Sequence, residues 1–266
     1  MNKIFNRLFY KKNETDKAYG WSGNYSNWSE VNKLCKGYDD NIIFEKVKQS
    51  SLAVKLGKAL FERDSVLFYE EDYSEYFLKI INEVAKENSN TLNVLDFGGA
   101  LGSLYYQYKS KFDDISDLKW NIVEQAHFVD FGKKELETEQ LKFYPTIEEC
   151  LLNNKINIVI LSSVISYFES PYQLLNNIFS HNFNFILIDK TIFTDYQNDI
   201  LTLQTVPPTI YEASYPCWVL NKNNVTNFMS KKYSLQSEYF PYGNISIKID
   251  KKTAYFKALL FKINDI

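Results

Sequence analysis

Apolar residues along this chain follow two different periods, and the change from one to the other divides it. Up to Asn90 the spacing is helical: a helix is predicted from Asn41 to Lys58, and another from Ser74 to Lys86 with Tyr76, Phe77, Ile80, Ile81 and Val84 on one face, ended by Asn88-Ser89-Asn90. From Thr91 onward short apolar runs of strand length take over: Leu92 to Leu95, Leu118 to Val123, Leu141 to Tyr144, Ile156 to Leu161 and Phe183 to Ile188. Unbroken apolar runs of this length suit strands buried on both faces. Helical spacing separates them: Leu104, Tyr108 and Phe112 share a face, a helix follows Pro145 as far as Asn153-Asn154, and Leu174, Leu175, Ile178 and Phe179 share another face. In the last of these, Ser170 is placed to cap and Pro171 to occupy the first turn. Thr191–Lys232 reads as a long insertion, and Tyr233–Tyr239 and Thr253–Ile263 as two further strands. The expectation is an α/β protein, with residues 1–90 a mostly helical N-terminal cap and 91–266 an alternating strand–helix domain.

The junction between the two periods is also where the chemistry concentrates. In TLNVLDFGGALGSL, Thr91 to Leu104, Asp96 closes the first strand, and Gly98, Gly99 and Gly102 follow, three of only nine glycines in the chain. A glycine turn between strand and helix lets a ligand approach the main chain and meet helix N–H groups. The dinucleotide spacing fails, because Ala100 and Ser103 stand at its third and sixth positions, and no Gly-Lys-Ser/Thr ending is present for a phosphate loop. At the end of the second strand Glu124 offers two acceptor oxygens that suit the two hydroxyls of a ribose. Ser162 and Ser163 follow the fourth strand, and Asp189 and Lys190 the fifth. Each buried strand is thus followed by polar groups at its carboxyl end, the edge where open α/β sheets bind ligands.

Composition narrows the partners. The 266 residues are 45% hydrophobic and 24% charged with net charge −3, so no basic footprint for nucleic acid is present. The longest apolar run, Ile156 to Leu161, is too short to span a bilayer, and Cys35, Cys150 and Cys217 form neither a disulfide framework nor a metal pattern. These features suggest a cytoplasmic protein with no stable membrane insertion. Arginine occurs only at Arg7 and Arg63. Arg63, between Glu62 and Asp64, suits either a solvated ion-pair cluster or a fork for carboxylate or phosphate. Trp21, Tyr25 and Trp28 are compatible with a sugar or base platform and equally with a small core, and the basic N-terminal segment with an arm or a surface helix. In the insertion, Tyr211, Tyr215 and Trp218 lie among prolines and suggest a rigid aromatic wall.

Asp96 followed by Gly-Gly-x-x-Gly resembles the first motif of class I S-adenosylmethionine-dependent methyltransferases. The phrases GWSGNYSNW, GYDD, FERDSVLF, LDFGGALGSLYYQ, WNIVEQ, LSSVISYFESPY, LIDKT and YEASYPCW resemble a bacterial family of methyltransferases found with surface-polysaccharide genes, and more loosely enzymes of the capsular methyl phosphoramidate modification. The resemblance implies a Rossmann-like seven-stranded sheet, mostly parallel with the last strand antiparallel, and S-adenosylmethionine as cofactor. It places Asp96, Gly98, Gly99 and Gly102 around the methionine part, Glu124 on the ribose, and Gln125 and Tyr144 near the adenine. Ser162, Ser163 and Tyr167 would line the edge where methyl donor meets acceptor. Lys190 stands where the family pattern suggests arginine, which would weaken a bidentate anion clamp.

The expected activity is O-methylation of a capsular or surface-polysaccharide precursor, a small-molecule or sugar-linked acceptor. An acceptor oxygen that is already anionic, phosphoryl or phosphoramidate, needs no general base, with Arg63 or Lys190 holding the anion. A sugar hydroxyl with Asp189 as base is the alternative. The cap and the insertion would form the acceptor pocket, with Arg63, Tyr215 and Trp218 facing it. Arg63 serves either the acceptor or the cofactor's carboxylate. No metal site is expected, so activity should survive EDTA. Rival classes are a nicotinamide-dependent sugar dehydrogenase or epimerase, for which the Tyr105–Lys109 spacing falls in the wrong helix, and a non-catalytic scaffold.

Overall fold

The computed structural model describes residues 19–35, 41–207, 210 and 213–264. The basic N-terminal segment and Tyr211 lie outside these. In chain order the elements are β1 (Gly20–Ser22), α1 (Trp28–Asn32), α2 (Asn41–Lys55), β2 (Phe61–Arg63), β3 (Val66–Phe68), α3 (Glu75–Glu87), β4 (Thr91–Phe97), α4 (Ser103–Tyr108) and β5 (Asp117–Val123). Then come α5 (Ala126–Glu135), β6 (Leu141–Tyr144), α6 (Ile147–Leu151), β7 (Ile158–Ser162), α7 (Pro171–Ser180), β8 (Phe185–Thr194), β9 (Ile200–Thr205), β10 (Ser214–Asn221), α8 (Lys222–Met229), β11 (Tyr233–Tyr239), β12 (Ser246–Ile249) and β13 (Lys252–Ile263).

One 11-stranded sheet organises the molecule. Its centre runs β6-β5-β4-β7-β8, all parallel, and β13 then lies antiparallel between β8 and β11. These seven strands are the mostly parallel sheet with an antiparallel last strand that the resemblance implied. The apolar runs explain the centre: Leu92, Val94, Ile158, Ile160 and Leu187 face one helical layer, and Leu95, Val159, Leu161, Ile186 and Ile188 face the other.

The 191–232 segment departs from its expected form. β8 continues to Thr194, and β9 and β10 form an antiparallel hairpin that extends the sheet, with β1 pairing β9 on its far side. The N-terminal region is therefore not wholly helical. Pro216 is tolerated within β10 because it lies where β10 pairs with β9 alone, its pairing to β8 being confined to Leu220 and Asn221. Trp21 on β1 is buried edge-on to Phe256, a core residue rather than part of a platform. Tyr76, expected on the buried face of α3, is exposed and stacks on Tyr239. Ser170 precedes α7 without a side-chain cap.

Candidate functional site

The parallel register brings the polar strand ends into one row. Phe97 lies opposite Val123, with Glu124 next in sequence, and Ser162 lies opposite Asp189. Asp96 is 1% exposed, and its Oδ2 accepts a hydrogen bond of 3.0 Å from the indole N–H of Trp120 on β5. Burial pushes its pKa up to about 6, against the opposing effects of Trp120 and Lys190. The turn beyond it is closed by a bond from Gly98 N–H to the Val123 carbonyl, 2.9 Å, and one from Gly102 N–H to the Gly99 carbonyl, 3.0 Å. Gly102 holds φ 95° at the start of α4, a left-handed position that glycine takes without strain.

Glu124 donates its backbone N–H to the Tyr144 carbonyl, 3.2 Å, so these two predicted residues are neighbours. The Glu124 carboxylate is raised to about 7, chiefly by burial and further by Asp96, with the Gln125 N–H opposing. Among the described residues no cation pairs with it in an ion pair. Gln125 is exposed at the start of α5, and the Tyr144 hydroxyl accepts from Asn154 Nδ2 at 3.0 Å. His127 packs edge-on to Phe44 with ring centroids 4.8 Å apart.

The short hairpin β2–β3 carries Arg63 to this edge. Its turn, Asp64-Ser65, has φ 51° and 61°, and the rings of Phe61 and Phe68 stack 4.6 Å apart across it. Glu62 is buried rather than solvated. Its Oε1 accepts from the Ser103 hydroxyl at the head of α4, and its Oε2 from the Ser65 N–H at 3.0 Å. Burial raises its pKa to about 7. Arg63 lies over the Phe61 and Phe68 rings and donates to Asp72 at 3.2 Å. Burial works against its charge, and Tyr242, Asp72 and Asp64 more than offset that. Its Nε is buried and has no partner among the described residues.

Asp189 and Lys190 project together because the sheet bulges there. Thr191 pairs with Lys257 and Ile188 with Leu259, so two residues of β8 oppose Ala258 alone, with Lys190 at φ 48°. Asp189 is 1% exposed and fully engaged: Tyr239 OH donates to Oδ1 at 3.0 Å, Ser162 Oγ to Oδ2 at 3.3 Å, and Lys190 Nζ lies 3.8 Å away. Ser163, at φ 55°, donates its hydroxyl to the Lys190 carbonyl at 3.1 Å.

Tyr167 follows β7, with its hydroxyl on Gln204 at 3.0 Å and its ring edge-on to Tyr215 at 5.2 Å. Tyr215 and Trp218 do not share a pocket wall. They project from opposite faces of β10, Tyr215 toward one core layer and Trp218 toward the other, where its indole bonds the Glu169 carbonyl at 3.2 Å. Trp218 is thereby removed from the acceptor side, because the segment is a strand and strands alternate. Sequence reasoning missed Trp120, Asp72 and Tyr239, which carry no motif. Only their apolar or turn-rich neighbourhoods mark them.

Among the described residues no group of three or more His, Cys, Asp or Glu is placed to hold a metal ion, and no helix is long and apolar enough to cross a membrane. No family model and no curated protein matches the sequence. Solved structures similar in outline include the N-terminal domain of EvdMO1 with S-adenosylhomocysteine bound, at TM-score 0.48 and 8% identity over 83% of this chain and 97% of that one. A second is the 1,6-didemethyltoxoflavin-N1-methyltransferase of Burkholderia thailandensis, at TM-score 0.45 and 8% identity over 95% and 99%. A third is CalS10, an amino pentose methyltransferase from Micromonospora echinaspora, at TM-score 0.43 and 8% identity over 73% and 92%.

The buried carboxylates give the fold a pH dependence. Glu62, Glu124 and Asp96 bind protons more readily folded than unfolded, their folded values lying near 7, 7 and 6. Their stabilising contribution is complete below the ordinary carboxylate range and is lost as pH rises through 6 to 7. For the fully enclosed Glu62 the loss is up to about 3 kcal/mol, or roughly 5–10 °C in melting temperature. Calorimetric melting from pH 5.5 to 8 should show a falling Tm in the wild type and a flatter profile in Glu62→Gln. A wild-type Tm that rises over that range contradicts this.

Proposed function

We propose that the chain is an S-adenosylmethionine-dependent O-methyltransferase acting on a saccharide precursor of a surface polysaccharide. The observation that carries this reading is the adjacency of the Asp96–Gly102 turn and the Glu124 carboxylate at the carboxyl edge, within the strand order that places β13 antiparallel between β8 and β11. The residues fit the cofactor. A side chain at Gly98 would meet Val164 at 2.6 Å and one at Gly99 would meet Asp96 at 2.6 Å, so this stretch is kept bare. The buried, unpartnered Nε of Arg63 is a donor suited to the cofactor's carboxylate, and Arg63 follows Glu62, which grips the head of α4. Glu124 suits the ribose, and Gln125 and Tyr144 border the adenine side. When bound, the cofactor supplies an electrophilic methyl group.

For the acceptor, the ion pairing favours a neutral hydroxyl over an anionic phosphoryl or phosphoramidate oxygen. Arg63 is matched to Asp72 and Lys190 to Asp189, and Asp64 and Asp96 add negative charge beside Lys190. A dianion entering there would meet more like charge than opposite charge. Ser162, Ser163, Tyr167 and Tyr215 then border the acceptor.

Titration calorimetry with S-adenosylhomocysteine tests the assignment. Glu124→Ala should weaken binding about tenfold or more through loss of charge-assisted hydrogen bonds, and Arg63→Ala by a similar factor. Unchanged affinity in both folded variants, or binding of NADH in place of S-adenosylhomocysteine, overturns the reading.

A further inference from the structure

A hydroxyl acceptor must lose a proton as its oxygen is methylated, and the residue first in line on sequence grounds, Asp189, is poorly placed to take it. Both of its oxygens already accept, from Tyr239 and from Ser162, and the residue is sealed from solvent. Neither histidine is at the edge: His127 is packed against Phe44, and His181 ends α7 beside Glu148. The geometry points instead to Lys190. We propose that Lys190 is the general base that accepts the acceptor's hydroxyl proton during methyl transfer, a role that rests on the methyltransferase reading above.

Three features of its surroundings support this. First, the bulge in β8 turns Lys190 to the same side as Asp189, at the edge that Ser162 and Ser163 also line. Its left-handed backbone is a strained conformation for a residue with a side chain, and such strain gathers at functional positions. Second, its side chain is only 13% exposed, and burial disfavours the charged amine. Third, the charges around it come from several elements: Arg63 and Asp64 from the β2–β3 hairpin, Asp96 from β4 and Asp189 from its own strand, with Tyr239 from β11, Tyr108 from α4 and Tyr242 gathered about Asp189. Arg63 acts with burial, the three carboxylates act against it, and the ammonium is held below the usual lysine range. A lysine lowered by burial is a recognised form of general base.

The proton balance is simple. The acceptor O–H bond breaks and its proton forms the fourth bond on Nζ. The oxygen's electron pair goes to the transferred methyl, and the pair released from carbon stays on the departing neutral thioether. The ammonium so formed sits 3.8 Å from Asp189 Oδ2, a carboxylate already oriented to stabilise it, and returns the proton to solvent. Asp189 on this account is a positioning residue.

Lysine Nζ titration by NMR on protein carrying 13C-ε lysine tests this without reference to activity. The Lys190 signal is assigned by its loss in Lys190→Arg. Its midpoint should lie below the mean of the surface lysines in the same spectrum, move up in Arg63→Ala and move down in Asp189→Asn. Lys190→Arg keeps the charge but cannot release a proton. It should bind S-adenosylhomocysteine within about threefold of wild type, yet transfer radiolabelled methyl to pooled nucleoside-diphosphate sugars about a hundredfold more slowly. A Lys190 midpoint at or above the surface mean overturns the proposal while leaving the cofactor assignment intact, as does Lys190→Arg transferring at the wild-type rate. Failure of the wild type to bind S-adenosylhomocysteine overturns the methyltransferase reading, and the base with it.

Discussion

Gly99→Val should abolish cofactor binding while leaving the sheet formed. The first atom of any side chain at Gly99 would stand 2.6 Å from Asp96 Cγ and 2.7 Å from Asp96 Oδ2. Asp96 cannot move aside, because it is sealed in the sheet and bonded to Trp120. The turn itself must therefore be displaced, and with it the backbone groups that face the ligand. Displacement of the turn by one ångström removes several hydrogen bonds at once, each worth about 1 kcal/mol, so S-adenosylhomocysteine affinity should fall at least about a hundredfold. Calorimetry on a variant with wild-type circular dichroism measures this. Retained affinity within about threefold would show that the ligand does not lie on this turn.

The second large effect is one of stability. Trp120 is fully buried on β5, its ring packing against Phe112 and Tyr105 and its N–H bonded to Asp96. Trp120→Ala opens a cavity in the sheet's helical layer, at a cost of about 3–5 kcal/mol. It also strips the buried carboxylate of its donor, for about 1–3 kcal/mol more. Against a total stability of about 5–15 kcal/mol, that leaves little or none. Trp120→Phe keeps most of the packing and loses only the donor, so the difference between the two variants in urea unfolding separates the cavity from the hydrogen bond. Equal destabilisation in both would mean that the packing is unimportant.

The parallel centre of the sheet was legible because strands buried on both faces write themselves as unbroken apolar runs, as Ile158 to Leu161 does. The glycine turn and Glu124 were legible for the complementary reason that special backbone and lone carboxylates stand out at strand ends. The hairpins were not. β2 and β3 are three residues each, and their turn is made by Asp64-Ser65 in left-handed conformation without the glycine that usually announces one. In β9 and β10 the prolines at 207 and 216 suggested a loop, yet Pro216 sits on the side of β10 that has no neighbour at that level. The partners of the site residues were hidden for a different reason. Trp120 to Asp96 and Tyr239 to Asp189 are bonds between residues 24 and 50 positions apart, set by register rather than by local pattern.

β13 has a consequence for how the protein comes into being. This strand lies between β8 and β11, pairs with β12 as well, and supplies the single residue opposite the Asp189–Lys190 bulge. During synthesis β4 to β8 emerge first and can pair side by side, yet the bulge cannot form until residues beyond 250 have cleared the ribosome. The cofactor half of the edge is thus assembled early and the proton-handling half late. A nascent chain stalled before β13 would present β8 with an open edge, apolar and unpaired, the kind of surface that chaperones shield and that neighbouring chains exploit.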